Sequence, residues 1–309
     1  MKIFCRKIIV NKPDLLKING PVLLACNHPN SFLDGIIFDI LLTQPNWALA
    51  RGDVFKKSRH KKLLTAVNLL PVYRTSEGTQ NVPENYKTFD ACKDIFRKNG
   101  IVQIFSEGKC INEWHLRPLK KGTARLAISS WENNIPLRVL PVAINYSSFR
   151  RFGKNVFINF GEIMNKVDID LNDKDGKRYQ EFNDLLNAQL KMLVFEIDKN
   201  DIQTQQKMLE RKPSAWQKVL FSIPAALGFL FHAPLYLPVK SFTWKRCNHN
   251  DHFDSVMAAI LLFAYPVYLL LIFLLLYLLF HSLYLLIIFL ILPFTAWSYV
   301  LLKSQLDKQ

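Results

Sequence analysis

The sequence predicts an α/β fold, with a mixed or mostly parallel sheet and flanking helices, followed by a C-terminal α-helical membrane region. Two observations support this prediction. Over the first two-thirds of the 309 residues, short apolar runs alternate with segments of helical periodicity, which is typical of α/β domains. After residue 216, long stretches carry no charged side chain, as expected of membrane helices. We therefore expect a domain over 1–199, a polar linker over 200–215 and a membrane anchor over 216–309.

Apolar runs bounded by turn residues predict the strands of the first domain. These runs are Val22–Cys26, Ile101–Phe105, 139–146 and 156–160. The intervening segments place apolar residues at helical spacing, which predicts helices over 32–42, 86–96, 123–132 and 179–197. Because strands alternate with helices, we expect a largely parallel or mixed sheet.

The anchor contains a stretch from 255 to 302 without Lys, Arg, Asp or Glu. It is long enough for two membrane helices, 255–280 and 283–302, with a turn at His281-Ser282. A second uncharged segment, 219–239, is interrupted by prolines, among them Pro224 and Pro234, and we expect a re-entrant or kinked path there. Basic residues flank both segments, which favours a cytoplasmic location for the flanks and for the first domain.

The charge balance indicates an anionic partner. The chain has 40 basic and 25 acidic residues, a net charge of +15. From residue 216 onward the difference is 6 minus 3, which leaves 34 minus 22, or +12, on residues 1–215. The sequence has no block of interleaved aromatic and basic residues, so we expect no nucleic-acid partner. A phospholipid membrane and a phosphorylated substrate remain.

Polar clusters follow the first two predicted strands. They are NHPNSFLD at 27–34 and SEGK at 106–109. Ligands of parallel sheets bind outside the carboxyl ends of the strands, so we expect both clusters to face one crevice. His28 and Asp34 suit a proton relay, in which the carboxylate orients an imidazole that takes a proton from a hydroxyl. The alternative is a surface histidine beside a helix-capping aspartate.

The order of four segments resembles the glycerolipid acyltransferases, which include glycerol-3-phosphate and lysophosphatidic acid acyltransferases. The first block holds Asn27, His28 and Asp34, and the second ends LLPVYR at Arg74. The third is the Phe-Ser-Glu-Gly block at 105–108, and the fourth is the strand VLPVAINY. The segment PLKKGTARLA at 118–127 is similar to the family's link between the last two blocks. The resemblance covers residues 15–165.

The resemblance implies that His28 is the general base and that Asp34 orients it. It also implies that Arg74 of the second block and the residues of the third block hold the phosphate of the substrate. The residues predicted to bind substrate are Asn27, Arg74, Glu107, Gly108, Lys109 and Lys121. A dianionic phosphate favours guanidinium and ammonium donors. Glu107 has two possible roles, bonding to the acceptor's hydroxyls or bracing Arg74.

Three departures from the family pattern have consequences. Five residues separate His28 from Asp34, whereas the commonest form has four. The longer spacing resembles the branch that acylates glycerol-3-phosphate or dihydroxyacetone phosphate, and it requires a bulge at Pro29-Asn30. Ser106 replaces a proline, with little expected effect. Cys110 stands where an arginine often occurs, so that Lys109 or Arg117 takes over one phosphate contact.

We therefore predict an integral membrane acyltransferase of phospholipid biosynthesis that acylates glycerol-3-phosphate or dihydroxyacetone phosphate. Its co-substrate is an acyl thioester, acyl-CoA or acyl-acyl carrier protein, and no cofactor is expected. The alternatives are acylation of lysophosphatidic acid to phosphatidic acid, and a non-catalytic module that binds anionic lipid. Cys247, His249 and His252 include zinc-ligand types, but a polar loop at headgroup level is the preferred interpretation, and no metal site is predicted.

Overall fold

The computed structural model describes residues 4–73, 83–171 and 173–307. Within these residues seven strands form one sheet in the order β1-β7-β6-β2-β5-β3-β4. The strands are β1 (Cys5–Val10), β2 (Val22–Cys26), β3 (Asn46–Arg51), β4 (Leu69–Val72), β5 (Ile101–Phe105), β6 (Arg138–Tyr146) and β7 (Lys154–Phe160). The helices of this domain are α1 (Phe32–Leu41), α2 (Ser58–Ala66), α3 (Glu84–Arg97), α4 (Lys121–Glu132) and α5 (Asp175–Leu193).

The sheet is mostly parallel, which confirms the predicted fold class. β4, β3, β5, β2 and β6 run in one direction, and β7 pairs with β6 antiparallel. β1 pairs with β7 in parallel at the far edge. Of the seven strands, β1, β3 and β4 were not predicted from the sequence.

β2 lies in the middle of the sheet and is buried along its whole length. Val22, Leu24 and Cys26 pack into a cluster on one face with residues of α1. Leu23 and Ala25 point to the other face, where residues of α3, α4 and α5 pack. Because both faces are covered, β2 is a continuous apolar run rather than an alternating one. This strand therefore gives the following residues, 27–31, a rigid starting point.

The C-terminal region contains three long apolar helices that have the length and composition to cross a membrane. They are α7 (Ala215–Cys247), α8 (Phe253–Phe280) and the helix over Leu283–Leu302, whose α-helical part is α9 (Ile288–Leu302). The segment 219–239 lies inside α7, which is one uninterrupted helix despite its prolines. The expected re-entrant or kinked path of this segment in the membrane stays a prediction.

A close helix contact holds α7 against α9. A side chain at Gly228 would bring its Cβ within 2.1 Å of the Thr295 carbonyl oxygen. Only glycine permits this approach of the two backbones, as is common between membrane helices. α8 packs on α7 through a hydrogen bond between His232 Nε2 and the Tyr265 hydroxyl at 3.1 Å.

The residues after α9 return to the sheet domain. Gln305 is buried and hydrogen-bonds to Asn155 of β7 and to the backbone of Arg211. Asp307 accepts hydrogen bonds from Ser148 Oγ at 2.6 Å and from the Phe149 N–H at 3.1 Å. The expected linker, 200–215, contains a short helix, α6 (Ile202–Leu209). The helical region is thus fastened to the sheet domain at its C-terminal end.

Candidate active site

The carboxyl ends of β2 and β5 lie at the same level of the sheet. Cys26 is paired in register with Phe105, and the Ser106 N–H donates to the Cys26 carbonyl at 2.8 Å. The two polar clusters that follow these strands therefore meet at one edge. This is the edge at which ligands of parallel sheets bind, and the segments 27–34 and 106–109 that meet there are called the crevice below.

His28 and Asp34 form a hydrogen-bonded pair in this crevice. His28 Nδ1 is 2.9 Å from Asp34 Oδ2, and the Asp34 side chain is fully buried. A carboxylate only accepts, so Nδ1 carries the shared proton and Nε2 has a free lone pair. In the described part of the chain, Nε2 makes no hydrogen bond. The imidazole ring also stacks on Phe105, with centroids 3.9 Å apart and an interplanar angle of 13°.

The backbone absorbs the additional residue between His28 and Asp34. Ser31, which precedes α1, has φ 51° and ψ −133°, a conformation that non-glycine residues seldom adopt. The resulting bulge turns the Asn30 N–H inward, where it donates to Asp34 Oδ2 at 2.8 Å. Strained backbone of this kind is typical of functional sites. The five-residue spacing is therefore compatible with the relay.

Asp34 accepts a third hydrogen bond, from a residue that the sequence analysis missed. The Tyr146 hydroxyl donates to Asp34 Oδ1 at 2.7 Å, and Tyr146 is fully buried. Burial and the neighbouring carboxylate raise the pKa of Tyr146 well above its usual value. The tyrosine therefore keeps its proton and remains a donor to Asp34 across the neutral range.

Glu107 acts on the backbone of the site. Its Oε2 accepts the His28 N–H at 2.9 Å, and its Oε1 accepts the Arg117 N–H at 3.0 Å. The side chain is only 5% exposed. Burial raises the pKa of Glu107 to about 7, and the two backbone hydrogen bonds oppose this rise. Both oxygens are thus occupied in joining the two loops, which differs from either role expected for Glu107.

Asn27 is also occupied by the backbone. Its Nδ2 donates to the Ile144 carbonyl at 3.1 Å, and its Oδ1 accepts the Ile144 N–H at 2.8 Å. The side chain therefore continues the pairing of β2 with β6 beyond the end of β2. Gly108 has φ 68°, and a Cβ there would lie 3.0 Å from Lys120 Cγ. Gly108 thus lets Lys120 lie against the loop.

The predicted cationic residues occupy different positions. Lys109 and Lys121 are exposed; Lys109 lies four residues beyond the end of β5, and Lys121 is the first residue of α4. Arg117 bonds to Glu113 at 2.9 Å. Cys110 accepts the Ser31 N–H at 2.9 Å, so it supports the bulge. Arg74 lies outside the described residues, and its role as a phosphate ligand stays a prediction.

The loop before α8 contacts the crevice. His252 Nδ1 is 2.7 Å from Ser31 Oγ, and Asp251 Oδ1 accepts the Asn112 N–H at 3.0 Å. Cys247 is buried, and no cluster of metal ligands occurs among residues 4–73, 83–171 and 173–307. His252 therefore serves as a contact between the helical region and the crevice, a role that the sequence did not indicate.

Comparison with known proteins relates this region to a family. Residues 7–145 match the acyltransferase family, and the match includes His28, Asp34 and Glu107. A solved structure with some similarity is the 1-acyl-sn-glycerophosphate acyltransferase PlsC from Thermotoga maritima. It is 14% identical, covers 68% of this chain and 76% of its own, and has a TM-score of 0.45. No curated protein matches the sequence.

Proposed function

We propose that this protein, whose residues 7–145 match the acyltransferase family, is an O-acyltransferase of glycerolipid synthesis. It transfers a fatty acyl group from a thioester, acyl-CoA or acyl-acyl carrier protein, to the hydroxyl of glycerol-3-phosphate or dihydroxyacetone phosphate. The observation that supports this most directly is the His28–Asp34 hydrogen bond at 2.9 Å with Nε2 free. The five-residue spacing favours the water-soluble acceptors, through the family branch that shares it.

In the proposed reaction, His28 Nε2 takes the proton of the acceptor hydroxyl as its oxygen attacks the thioester carbonyl. The carbon–sulfur bond then breaks, and the leaving thiolate takes the proton from the His28 imidazolium to become a thiol. Asp34 stabilises the imidazolium that forms in between. Lys109, Lys121 and Arg74 are the proposed phosphate ligands, because a dianion favours ammonium and guanidinium donors. Gly108 leaves room for Lys120 to lie against the same loop.

One observation favours lysophosphatidic acid as an alternative acceptor. The crevice contacts the loop that precedes α8 through Ser31 and His252, and α8 is apolar enough to enter a membrane. A base beside the start of a membrane helix is close to the headgroup level, where a lipid acceptor lies. The soluble acceptors diffuse to the same place, so both are offered in the test below.

The proposed location is the cytoplasmic membrane surface, with α8 and the following helix forming a hairpin. Lys303, at the end of the hairpin, donates to the Phe152 carbonyl at 2.7 Å. Asn248, before its start, accepts from Arg150 at 3.1 Å. Both ends of the hairpin thus meet the sheet domain, which supports a turn on the opposite side of the membrane from that domain. α7 also has both ends near this domain, since Arg211 just before it bonds to Gln305, while its middle packs on α9 at Gly228; this supports the expected re-entrant or kinked path.

A basic cluster supports an anionic membrane surface as the partner. The segment 56–62 carries five Lys or Arg residues, and all of them are exposed. It follows β3, whose carboxyl end lies at the same edge of the sheet as the crevice. Each basic residue near an anionic membrane contributes about 1 kcal/mol of attraction.

The decisive experiment incubates the purified protein in lipid with labelled acyl-CoA or acyl-acyl carrier protein and each acceptor in parallel. We expect transfer to glycerol-3-phosphate or dihydroxyacetone phosphate, and a loss of roughly a thousandfold in His28→Ala. Preferred acylation of lysophosphatidic acid would select the alternative acceptor. Unchanged transfer in His28→Ala would reject His28 as the base. No transfer by the parent to any acceptor would favour a non-catalytic lipid-binding module.

A further inference from the structure

We propose that Asp254, in the first turn of α8, is a positioning residue for catalysis, which acts through Asn30 on the His28–Asp34 pair. The inference rests on the proposed function, because it assigns Asp254 a role in that same site. In this proposal the start of α8 helps to position the His28–Asp34 pair, in addition to its role in the anchor.

A short chain of hydrogen bonds joins Asp254 to the base. Asp254 Oδ2 accepts from Asn30 Nδ2 at 2.6 Å. The Asn30 N–H donates to Asp34 Oδ2 at 2.8 Å, the same oxygen that accepts from His28 Nδ1. Asn30 is fully buried and Asp254 is 1% exposed. Asp254 therefore fixes the side chain of the residue whose backbone orients the catalytic carboxylate.

A buried lysine neutralises Asp254. Lys154 Nζ pairs with Asp254 Oδ2, and the lysine side chain is fully buried. Lys154 Nζ also lies 5.9 Å from the ring centroid of Tyr146, whose hydroxyl bonds to Asp34 Oδ1. The Lys154–Asp254 pair thus adjoins both donors that hold Asp34 in place, Asn30 on one side and Tyr146 on the other.

Stability alone is a poor explanation for this pair. Desolvation of two buried charges offsets much of their attraction, and replacing a buried pair with apolar residues is often neutral or stabilising. Its position in the site indicates a role in specifying one conformation of the loop. The strained Ser31 backbone needs such support, because the surrounding contacts must hold a conformation that the chain disfavours.

The other contacts of the loop differ from that of Asp254. His252 bonds to the Ser31 hydroxyl and Asp251 to the Asn112 N–H. Neither of those partners donates to Asp34. Asp254, at the start of α8, is therefore the residue of this region whose loss should change the relay rather than only the attachment of the helices.

The test compares two double variants that differ only at residue 254. Lys154→Met with Asp254→Asn removes both charges and keeps an oxygen that accepts from Asn30. Lys154→Met with Asp254→Leu has nearly the same shape but no acceptor. We expect kcat of the leucine variant to be at least tenfold below that of the asparagine variant, with the KM for the acyl donor changed by less than twofold. Equal kcat values in the two variants would overturn the proposal.

A control variant separates positioning from general loosening of the anchor. Gln305→Leu breaks the contacts of the C-terminal segment with Asn155 and Arg211 without touching Asn30 and without changing the charges around Lys154. We expect its kcat to stay within twofold of the parent. A tenfold loss in this variant would mean that any weakening of the attachment impairs catalysis, and the specific role of Asp254 would be rejected.

Hydrogen exchange provides a readout that needs no activity. The amides of residues 27–34 should exchange at least tenfold faster in the leucine variant than in the asparagine variant, while the amides of β6 serve as an internal standard. Asn30→Ala should show the same faster exchange, and it is available if a double variant does not fold. Equal exchange over 27–34 would reject the positioning role. An inactive parent with the expected exchange difference would instead reject the proposed activity.

Discussion

Asp34→Asn tests the relay by separating the charge of Asp34 from its shape. Oδ2 accepts from two fixed donors, His28 Nδ1 and the Asn30 N–H. Oδ1 faces only the Tyr146 hydroxyl, which can rotate to accept instead of donate. The asparagine oxygen should therefore take the Oδ2 position and its amide nitrogen the Oδ1 position. His28 then keeps its orientation and tautomer, and only the negative charge is lost.

The distance gives the size of the expected loss. Opposite charges 2.9 Å apart attract by about 6 kcal/mol at an effective dielectric constant of about 20. The proton is only partly transferred in the transition state, so we expect about half of this energy to be lost. A loss of about 3 kcal/mol corresponds to a decrease of roughly 150-fold in kcat/KM.

Initial rates with a labelled acyl thioester measure this loss, and thermal unfolding in the same detergent or lipid checks that the variant is folded. The activity of Asp34→Asn should fall between those of the parent and His28→Ala. A variant that combines His28→Ala with Asp34→Asn should be as active as His28→Ala alone, because the two residues act as one unit. Activity within threefold of the parent would refute the role of the charge. Activity equal to that of His28→Ala would refute the retained tautomer.

Three further predictions concern the surroundings of the relay. Tyr146→Phe leaves a buried carboxylate oxygen without its donor, so the free energy of unfolding should fall by about 1–3 kcal/mol, measured by denaturant unfolding; an unchanged value would contradict the hydrogen bond. The pKa of Glu107 is raised to about 7 from 4.5, so the folded state keeps this proton while the unfolded chain loses it, and stability from this group falls by about 3 kcal/mol as pH rises from 4.5 to 7. Thermal unfolding against pH should show a flatter profile for Glu107→Gln, and parallel profiles would contradict the raised pKa. A membrane-impermeant maleimide added to intact cells should label Ser282→Cys, and protection of that cysteine would reverse the proposed orientation.

The sequence predicted a strand correctly where a continuous apolar run marks it. β2 and β5 are buried on both faces, and their apolar runs were recognised with their observed bounds. β4 was missed because it has only four residues and is half-buried. β3 was missed because its sequence, NWALAR, mixes polar and apolar residues and so contains no continuous apolar run. β1 was missed because Arg6 and Lys7 interrupt the apolar pattern of this edge strand.

The same distinction applies to the site. His28 and Asp34 are six residues apart, so a loop leading into a helix brings them together. Tyr146 reaches Asp34 from 112 positions away, and Asp254 reaches Asn30 from 224 positions away. Such partners are set by the sheet order and by the packing of α8, and no local pattern reveals them. Glu107 was expected to bond to the acceptor's hydroxyls or to brace Arg74, since sequence does not indicate whether a carboxylate faces the backbone.

The burial of Gln305 has a consequence for biosynthesis. A chain is made from its N-terminus, so the sheet domain leaves the ribosome before the helices that follow it. Asp254, which bonds to Asn30, and Gln305, which bonds to Asn155 of β7, leave the ribosome only when the C-terminal helices are made. A nascent sheet domain therefore lacks the contacts that hold its relay in place. Under the proposed function, catalysis would begin only after the C-terminal helices have been made and packed against the sheet domain.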